Sequence, residues 1–451
     1  MTNHWKLLES VDKHRELIFE AERQIWKNPE TGYKEWKTSA YMESEFERLG
    51  YTLTKSGDIP GFYTTIDTGR PGPCILIMGE LDSLICADHP EADPETKAVH
   101  ACGHNAQCAA LLGIAAALKE DGALDGLSGS IKLCAVPAEE LIETGYRETL
   151  RQSGTIKYYG GKVEFLYRGY FDDVDMAFMF HTSGGNLQFS ARRGSNGCVV
   201  KNINYKGVAA HAGGSPHDGV NALYAANLGM QAINSLRETF QDNDHIRVHP
   251  IITRGGVAVN AIPSDVAMES YVRGANLEVI TEINKKINRA LAGAAASIGA
   301  NVILSDRPGY TPLINDRNLL QIAEEAMKII APAKEVSISD GWGTGCTDMG
   351  DISAIMPAIH PYAGGAVGIG HGNNYYIEDP EKACVNSAKC QLLMLNMLLS
   401  DDARNAKKVI AEKDVRYASK EEYFEAIDAL TQDKEAVIYN EDGTIKLDYT
   451  K

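Results

Sequence analysis

The densest chemical signal in the chain is His100-Ala101-Cys102-Gly103-His104-Asn105, where a thiol and an imidazole stand two residues apart beside a glycine. Extended backbone puts residues i and i+2 on one side, so Cys102 and His104 can converge on one point. Thiolate and imidazole together suit zinc, and also manganese, cobalt or nickel. Asn105 is placed to cap a helix beginning at Ala106, which would hold the loop still. A second signal is Glu139-Glu140, directly after the apolar run 133–137. Two charges there are costly unless paired or metal-bound. Adjacent carboxylates point different ways, so one can ligate a metal while the other faces a reacting water. The apolar run 177–180 leads into His181, and the glycine-rich loop 364–372 carries His371. A lone Cys or His is usually packed core, but several apolar strands each delivering a ligand at one end is how open α/β sheets build sites.

The elements that must hold these residues follow from hydrophobic spacing. Helical periodicity over 3–27 stops at Asn28-Pro29, and a second helix over 37–49 ends at Gly50. Extended segments follow at 62–67 and 74–79. The latter is apolar on both faces, as a strand buried inside a mixed or parallel sheet must be. A similar strand spans 131–136, with a helix over 106–119 between them, and strand, helix, strand is the unit of an α/β layer. From about residue 197 the texture changes: strand 198–205, amphipathic helix 220–240, strands 246–252 and 267–272, helix 277–300, strand 301–304. That β-α-β-β-α-β order predicts a small ferredoxin-like α+β sandwich. It reads as an insertion, because helix 316–331, strand 355–359 and helix 380–399 resume the α/β layer. The expected domains are 1–195 with 309–400, the insert 196–308, and a charged tail, 401–451. The tail shows short helices at 404–413 and 420–431 and no assignable chemistry.

Composition excludes several function classes. The 451 residues suffice for two or three domains. Acidic residues outnumber basic ones 61 to 44, a net charge of −17, which disfavours nucleic acid and anionic membrane as partners. The longest apolar run, 108–118, falls short of the ~18 residues a membrane span needs. Residues 1–14 are polar and show no secretory signal. Nine cysteines, an odd number widely scattered, do not form a disulfide framework, so the expected compartment is the cytoplasm with thiols reduced. Cysteines 74, 108, 134 and 198 lie in apolar runs and read as inert core. His217, His245, His249 and His360 lack spacing partners and read as surface or core.

Gly79-Glu80-Leu81-Asp82, His100-Ala-Cys-Gly-His104, Pro137-Ala-Glu-Glu140, Phe180-His181, Ala210-His211-Ala212-Gly-Gly-Ser-Pro216 and Gly255-Gly256-Val-Ala-Val-Asn260-Ala-Ile-Pro263 occur in that order. Together they resemble the amidohydrolase branch of the aminoacylase/carboxypeptidase metallopeptidases. That branch holds indole-acetyl-amino-acid, hippurate and aminobenzoyl-glutamate hydrolases and related dipeptidases. The resemblance runs from Asn28-Pro29-Glu30 to the 390s. It implies an α/β metallopeptidase domain with a mixed, mostly parallel sheet, an inserted lid that pairs two subunits, and two divalent metal ions, zinc or manganese foremost. By the same resemblance Cys102 bridges the metals, and His104, Glu140, His181 and His371 complete the ligands. Glu139 is the general base and Asp82 orients a ligand. His211 reaches the partner's active site to steady the oxyanion, and Asn260 and Arg273 contact substrate. The implied reaction is hydrolysis of an amide in an N-acyl or N-aminoacyl amino acid. A metal pair lowers the pKa of water toward ~7 and polarises the carbonyl, while Glu139 relays the proton.

Two alternatives stand beside it: a non-catalytic binding protein on the same fold, and a hydrolase of a carbamoyl-type C–N bond. Where many relatives read Asp-x-His after the ligand histidine, this chain has Asn105-Ala106-Gln107. That departure, with Ile359-His360-Pro361-Tyr362, leans toward the aminobenzoyl-glutamate hydrolase and dipeptidase side. The stretch 154–170 is longer than in minimal relatives and is expected to line or cover the pocket.

Overall fold

A computed structural model describes residues 4–447, so the start of the first expected helix and the last four residues of the tail lie outside the described residues. The chain divides into two compact units. The first is Met1–Gly194, Ile314–Trp342 and Asp351–Ala418; the second is Ser195–Leu313, Gly343–Gly350 and Ser419–Lys451.

The first unit is built on a six-stranded sheet. Its main strands are β1 (Phe62–Asp67), β2 (Cys74–Glu80), β3 (Ser130–Val136) and β4 (Met176–Phe178). They lie in the order β1-β3-β2-β4, extended by Thr54–Lys55 beyond β1 and Ala358–Ile359 beyond β4. β3, β2, β4 and Ala358–Ile359 run parallel, whereas β1 is antiparallel to β3. All seven residues of β2 are buried, which is why its sequence is apolar without alternation. Helix α1 (His104–Ala117) packs on β2 and is buried along its whole length. The helix expected over 3–27 is two helices, His4–Lys13 and Arg15–Trp26. They break at His14, whose ring bonds Glu120 at 3.0 Å.

The second unit contains β5 (Gly197–Lys206), α2 (Ala222–Leu236), β6 (Asp265–Gly274), α3 (Leu277–Ser297) and β7 (Asn301–Pro308). The central order β6-β5-β7 is antiparallel, and Arg247–Val248 and Ile251–Arg254 pair with the far side of β6. Buried and less buried residues alternate along β6 because α2 and α3 cover one face. The tail has a role that its sequence concealed. After the helix Lys420–Asp428, strand β8 (Gln432–Glu435) pairs antiparallel with β7 and closes that edge of the sheet. Gln-Asp-Lys-Glu carries no strand pattern.

Beneath that edge lies a buried ion pair, Lys201 Nζ to Asp306 Oδ1 at 2.5 Å. Asn284 and Asn288 donate to the other Asp306 oxygen at 2.7 and 2.9 Å, as does Gln432. Burial opposes ionisation of Asp306, but Lys201 and the amide donors hold its carboxyl below the usual range. Its contribution to stability is therefore present above the ordinary aspartate pKa and is lost as pH falls through the depressed one. Asp306→Ala strands the lysine in the interior and is expected to cost about 3–5 kcal/mol in a denaturant melt. The paired replacement Lys201→Met/Asp306→Leu is expected to recover most of that loss.

Candidate metal centre

The parallel strands β3, β2 and β4 are neighbours, so their carboxyl ends share one edge of the sheet, where open α/β folds gather ligands. β2 ends in Glu80, with Asp82 two residues on. β3 runs into Pro137 and the Glu139-Glu140 pair. β4 leads through Met179-Phe180 to His181. Helix α1 presents His104 as its first residue. Gly103, just before it, has φ +91°, and an added Cβ would fall 2.2 Å from both Thr182 Oγ1 and the Tyr375 hydroxyl. Only glycine fits that turn. Asn105 is not the cap expected from sequence: the left-handed Gly103 occupies that position, and the Asn105 amide donates to Glu22 at 2.6 Å.

The predicted residues Asp82, Cys102, His104, Glu139, Glu140, His181 and His371 meet at this edge. Cys102 Sγ lies 3.3 Å from His181 Nε2. His104 Nδ1 is 2.8 Å from the Asp82 carbonyl and 3.1 Å from Asp82 Oδ1, which directs Nε2 outward as the free ligand nitrogen. That Nε2 is 3.1 Å from Glu80 Oε2 and 3.8 Å from Glu139 Oε2. His371, on the opposite loop, is tethered by its backbone N–H to the Ala101 carbonyl at 2.8 Å. Its Nε2 is 3.2 Å from Glu140 Oε1. In three groups the ligand atoms lie within 4.8 Å of one another: Cys102–His104–His181, Cys102–Glu140–His371 and Glu80–His104–Glu139. The first two share the thiol.

The residues fit a pair of divalent cations. His104 Nε2, Glu140 Oε1 and Glu80 Oε2 are buried, and their close contacts with one another and with His371 are not well-formed hydrogen bonds, a cost that a cation would remove. Burial and Glu140 oppose ionisation of Cys102, yet His104 and His181 bring its thiol down to about 6. Glu140, despite burial, is held at about 2 by His371, and His371 is pushed up to about 11, chiefly by Glu140. Burial works against charge on His104 and His181, and Cys102 raises both. Cations held here would balance this concentration of anions.

One residue at this edge, Glu80, had no role in the sequence reading, and His360, read there as surface or core, is core. Glu80 bonds fully buried Lys162 through Oε1 at 2.5 Å. A carboxylate closing an all-buried strand was the available signal, the same one that marked Glu139-Glu140. His360 bonds the Met179 carbonyl at 3.0 Å and packs edge-on to His181 at 5.6 Å, so it is core beside the centre. Burial drives its pKa down to about 3, which keeps the ring neutral there.

His211, Asn260 and Arg273 belong to the second unit. His211 is exposed, and its Nδ1 accepts from the Gly213 and Gly214 amides at 3.1 and 2.8 Å. Asn260 sits beside it, its carbonyl accepting from Ala212 N–H at 3.0 Å. Arg273, on β6, lies over the Tyr271 ring at 5.1 Å.

Residues 76–396 match Peptidase family M20/M25/M40, well over half of the chain. The chain belongs to this family. It is a metal-dependent hydrolase of amide bonds. The Xaa-Arg dipeptidase of Mus musculus is 29% identical over 364 residues, 78% of either chain. A p-aminobenzoyl-glutamate hydrolase polypeptide of Escherichia coli K12 is 29% identical over 300 residues, 64% of this chain and 57% of that one. A solved dinuclear metal binding peptidase of the M20 family from Bacillus subtilis shares the fold. Its TM-score is 0.62 at 20% identity, and the match covers 86% of this chain and 99% of that one. Among the described residues of this M20 hydrolase, no helix is long and apolar enough to cross a membrane.

Proposed function

We propose that this M20 hydrolase cleaves the amide of a small N-acyl or N-aminoacyl amino acid, with Glu139 as general base. The observation that carries the reading is one thiol, Cys102, shared by two ligand groups. Cys102, His104 and His181 would hold one cation, and Cys102, Glu140 and His371 the other. Zinc or manganese suits this donor set best, with cobalt and nickel also accommodated. Bound cations would supply Lewis acidity and a more acidic water. The Glu139 carboxylate takes the proton of the attacking water and returns it to the leaving nitrogen. Asp82 keeps His104 in the tautomer that exposes Nε2. The printed names of the dipeptidase and aminobenzoyl-glutamate relatives support the substrate class. Hydrolysis of aminobenzoyl-glutamate, hippurate, acetyl-amino acids and dipeptides by metal-loaded protein, against Glu139→Ala as blank, tests it. Cleavage of any member above the blank supports the reading, and silence with two metals bound contradicts it.

The insert 196–308 is assigned to a homodimer. Val257 and Val259 are 95% and 100% exposed, and Ile251 is half-exposed, an apolar surface suited to a second copy. In that dimer His211 steadies the oxyanion of the partner's site, and Asn260 and Arg273 hold the substrate carboxylate. Mixing His211→Ala with Glu139→Ala subunits should restore activity, because one hybrid site then has both groups. No recovery, with subunit exchange demonstrated, would refute supply in trans. The proposed compartment is the cytoplasm, a reading that rests on nine cysteines, odd in number and widely scattered, as in chains without a disulfide framework.

A further inference from the structure

The segment that carries Glu139 and Glu140 is held in an unfavourable conformation. Ala138 has φ +58°, in the left-handed region that a residue with a Cβ seldom occupies. Such a conformation persists only where its surroundings over-determine it, and here buried side chains, some near in sequence and some far, do so. Glu35, fully buried, accepts the Ala138 N–H through Oε1 at 2.8 Å. Arg147, 1% exposed, donates through Nη1 to the Ala138 and Tyr159 carbonyls at 3.3 and 2.6 Å, and through Nη2 to the Glu140 carbonyl. Asp82 Oδ2 accepts the Glu140 N–H at 2.8 Å. Gly32 leaves room for this clamp: a Cβ there would lie 2.3 Å from Arg147 Nη2 and 3.0 Å from Ala138 Cα.

Burying a carboxyl and a guanidinium is expensive, and apolar side chains would fill the same volume more cheaply. What the two polar groups add is direction. We propose that Glu35 and Arg147 are positioning residues that hold the left-handed turn at Ala138, so that the consecutive carboxylates of Glu139 and Glu140 point to different tasks. Adjacent residues cannot share a target in extended backbone, and the turn sets how far their directions diverge. Both roles rest on Glu139 as base and Glu140 as ligand.

Glu35→Gln keeps an acceptor for the Ala138 N–H, whereas Glu35→Leu removes it at similar bulk. Glu35→Leu is expected to lower kcat about 10–100-fold and to weaken metal binding about tenfold in chelator competition, while KM stays near wild type. Glu35→Gln should restore both quantities. Gly32→Ala, which crowds the Arg147 guanidinium, should reproduce the Leu phenotype with the acceptor intact. Wild-type kcat and metal affinity in folded Glu35→Leu would overturn the assignment, as would equal losses in the Gln and Leu variants. Failure of both Glu35→Leu and Gly32→Ala to fold would overturn it too, since the clamp would then serve stability alone. If only Glu35→Leu fails to fold, Gly32→Ala decides: reduced kcat and metal affinity support the assignment, and wild-type values refute it. Glu139→Gln measured alongside separates the readings. Activity retained there defeats the catalytic assignment itself, whereas an inactive Glu139→Gln beside a fully active Glu35→Leu defeats only the clamp.

Discussion

Glu139→Gln should reduce turnover by about 10²–10⁴-fold, the range a positioned general base supplies, while leaving bound metal unchanged. Glu139 is 8% exposed, and its Oε2 lies 3.8 Å from His104 Nε2, close enough to serve a water at the centre. The two ligand groups built on Cys102 include Glu140 and do not include Glu139. Neutralising Glu139 therefore removes the proton acceptor and spares both proposed metal sets. Kinetics together with metal analysis of the purified variant check this. Loss of metal with loss of activity would mean that the two glutamates have each other's roles.

Replacement of the ligands should divide the centre unequally. His181→Ala touches only the Cys102–His104–His181 group and His371→Ala only the Cys102–Glu140–His371 group, so each should lose one cation. Cys102→Ala should lose both, because its thiol belongs to each group. The loss in affinity should exceed the roughly 10–100-fold typical of residues that merely orient ligands. Mass spectrometry under native conditions reads the stoichiometry directly. One cation retained by Cys102→Ala would show that the thiol does not bridge.

Local pattern made the candidate ligands legible in the sequence, and distance hid much of what supports them. Cys102 and His104 stood out because their spacing and residue types are chemical, and Glu139-Glu140 because charge abruptly follows an apolar strand. β2 and β3 were visible because burial on both faces leaves no alternation. The Glu80–Lys162 pair was not, since its members are 82 residues apart and a buried lysine carries no local signature. The same holds for Glu35 and Ala138, 103 residues apart. The charged strand β8 lacks the apolar alternation that marks a strand, and its place is set by the open edge of β7. Asn105 misled because asparagine is a good cap in general, whereas the turn here needed a left-handed residue that only glycine fits.

On the proposed reading, the Cys102 thiol would be a ligand to both of two cations. Titration of metal-free protein with cobalt(II), followed by near-ultraviolet absorption, tests it most directly, because thiolate bound to cobalt has its own charge-transfer band. A bridging thiol predicts that the band responds to both the first and the second equivalent and is absent in Cys102→Ala. A band that is complete at one equivalent, or that survives in Cys102→Ala, would contradict the bridge.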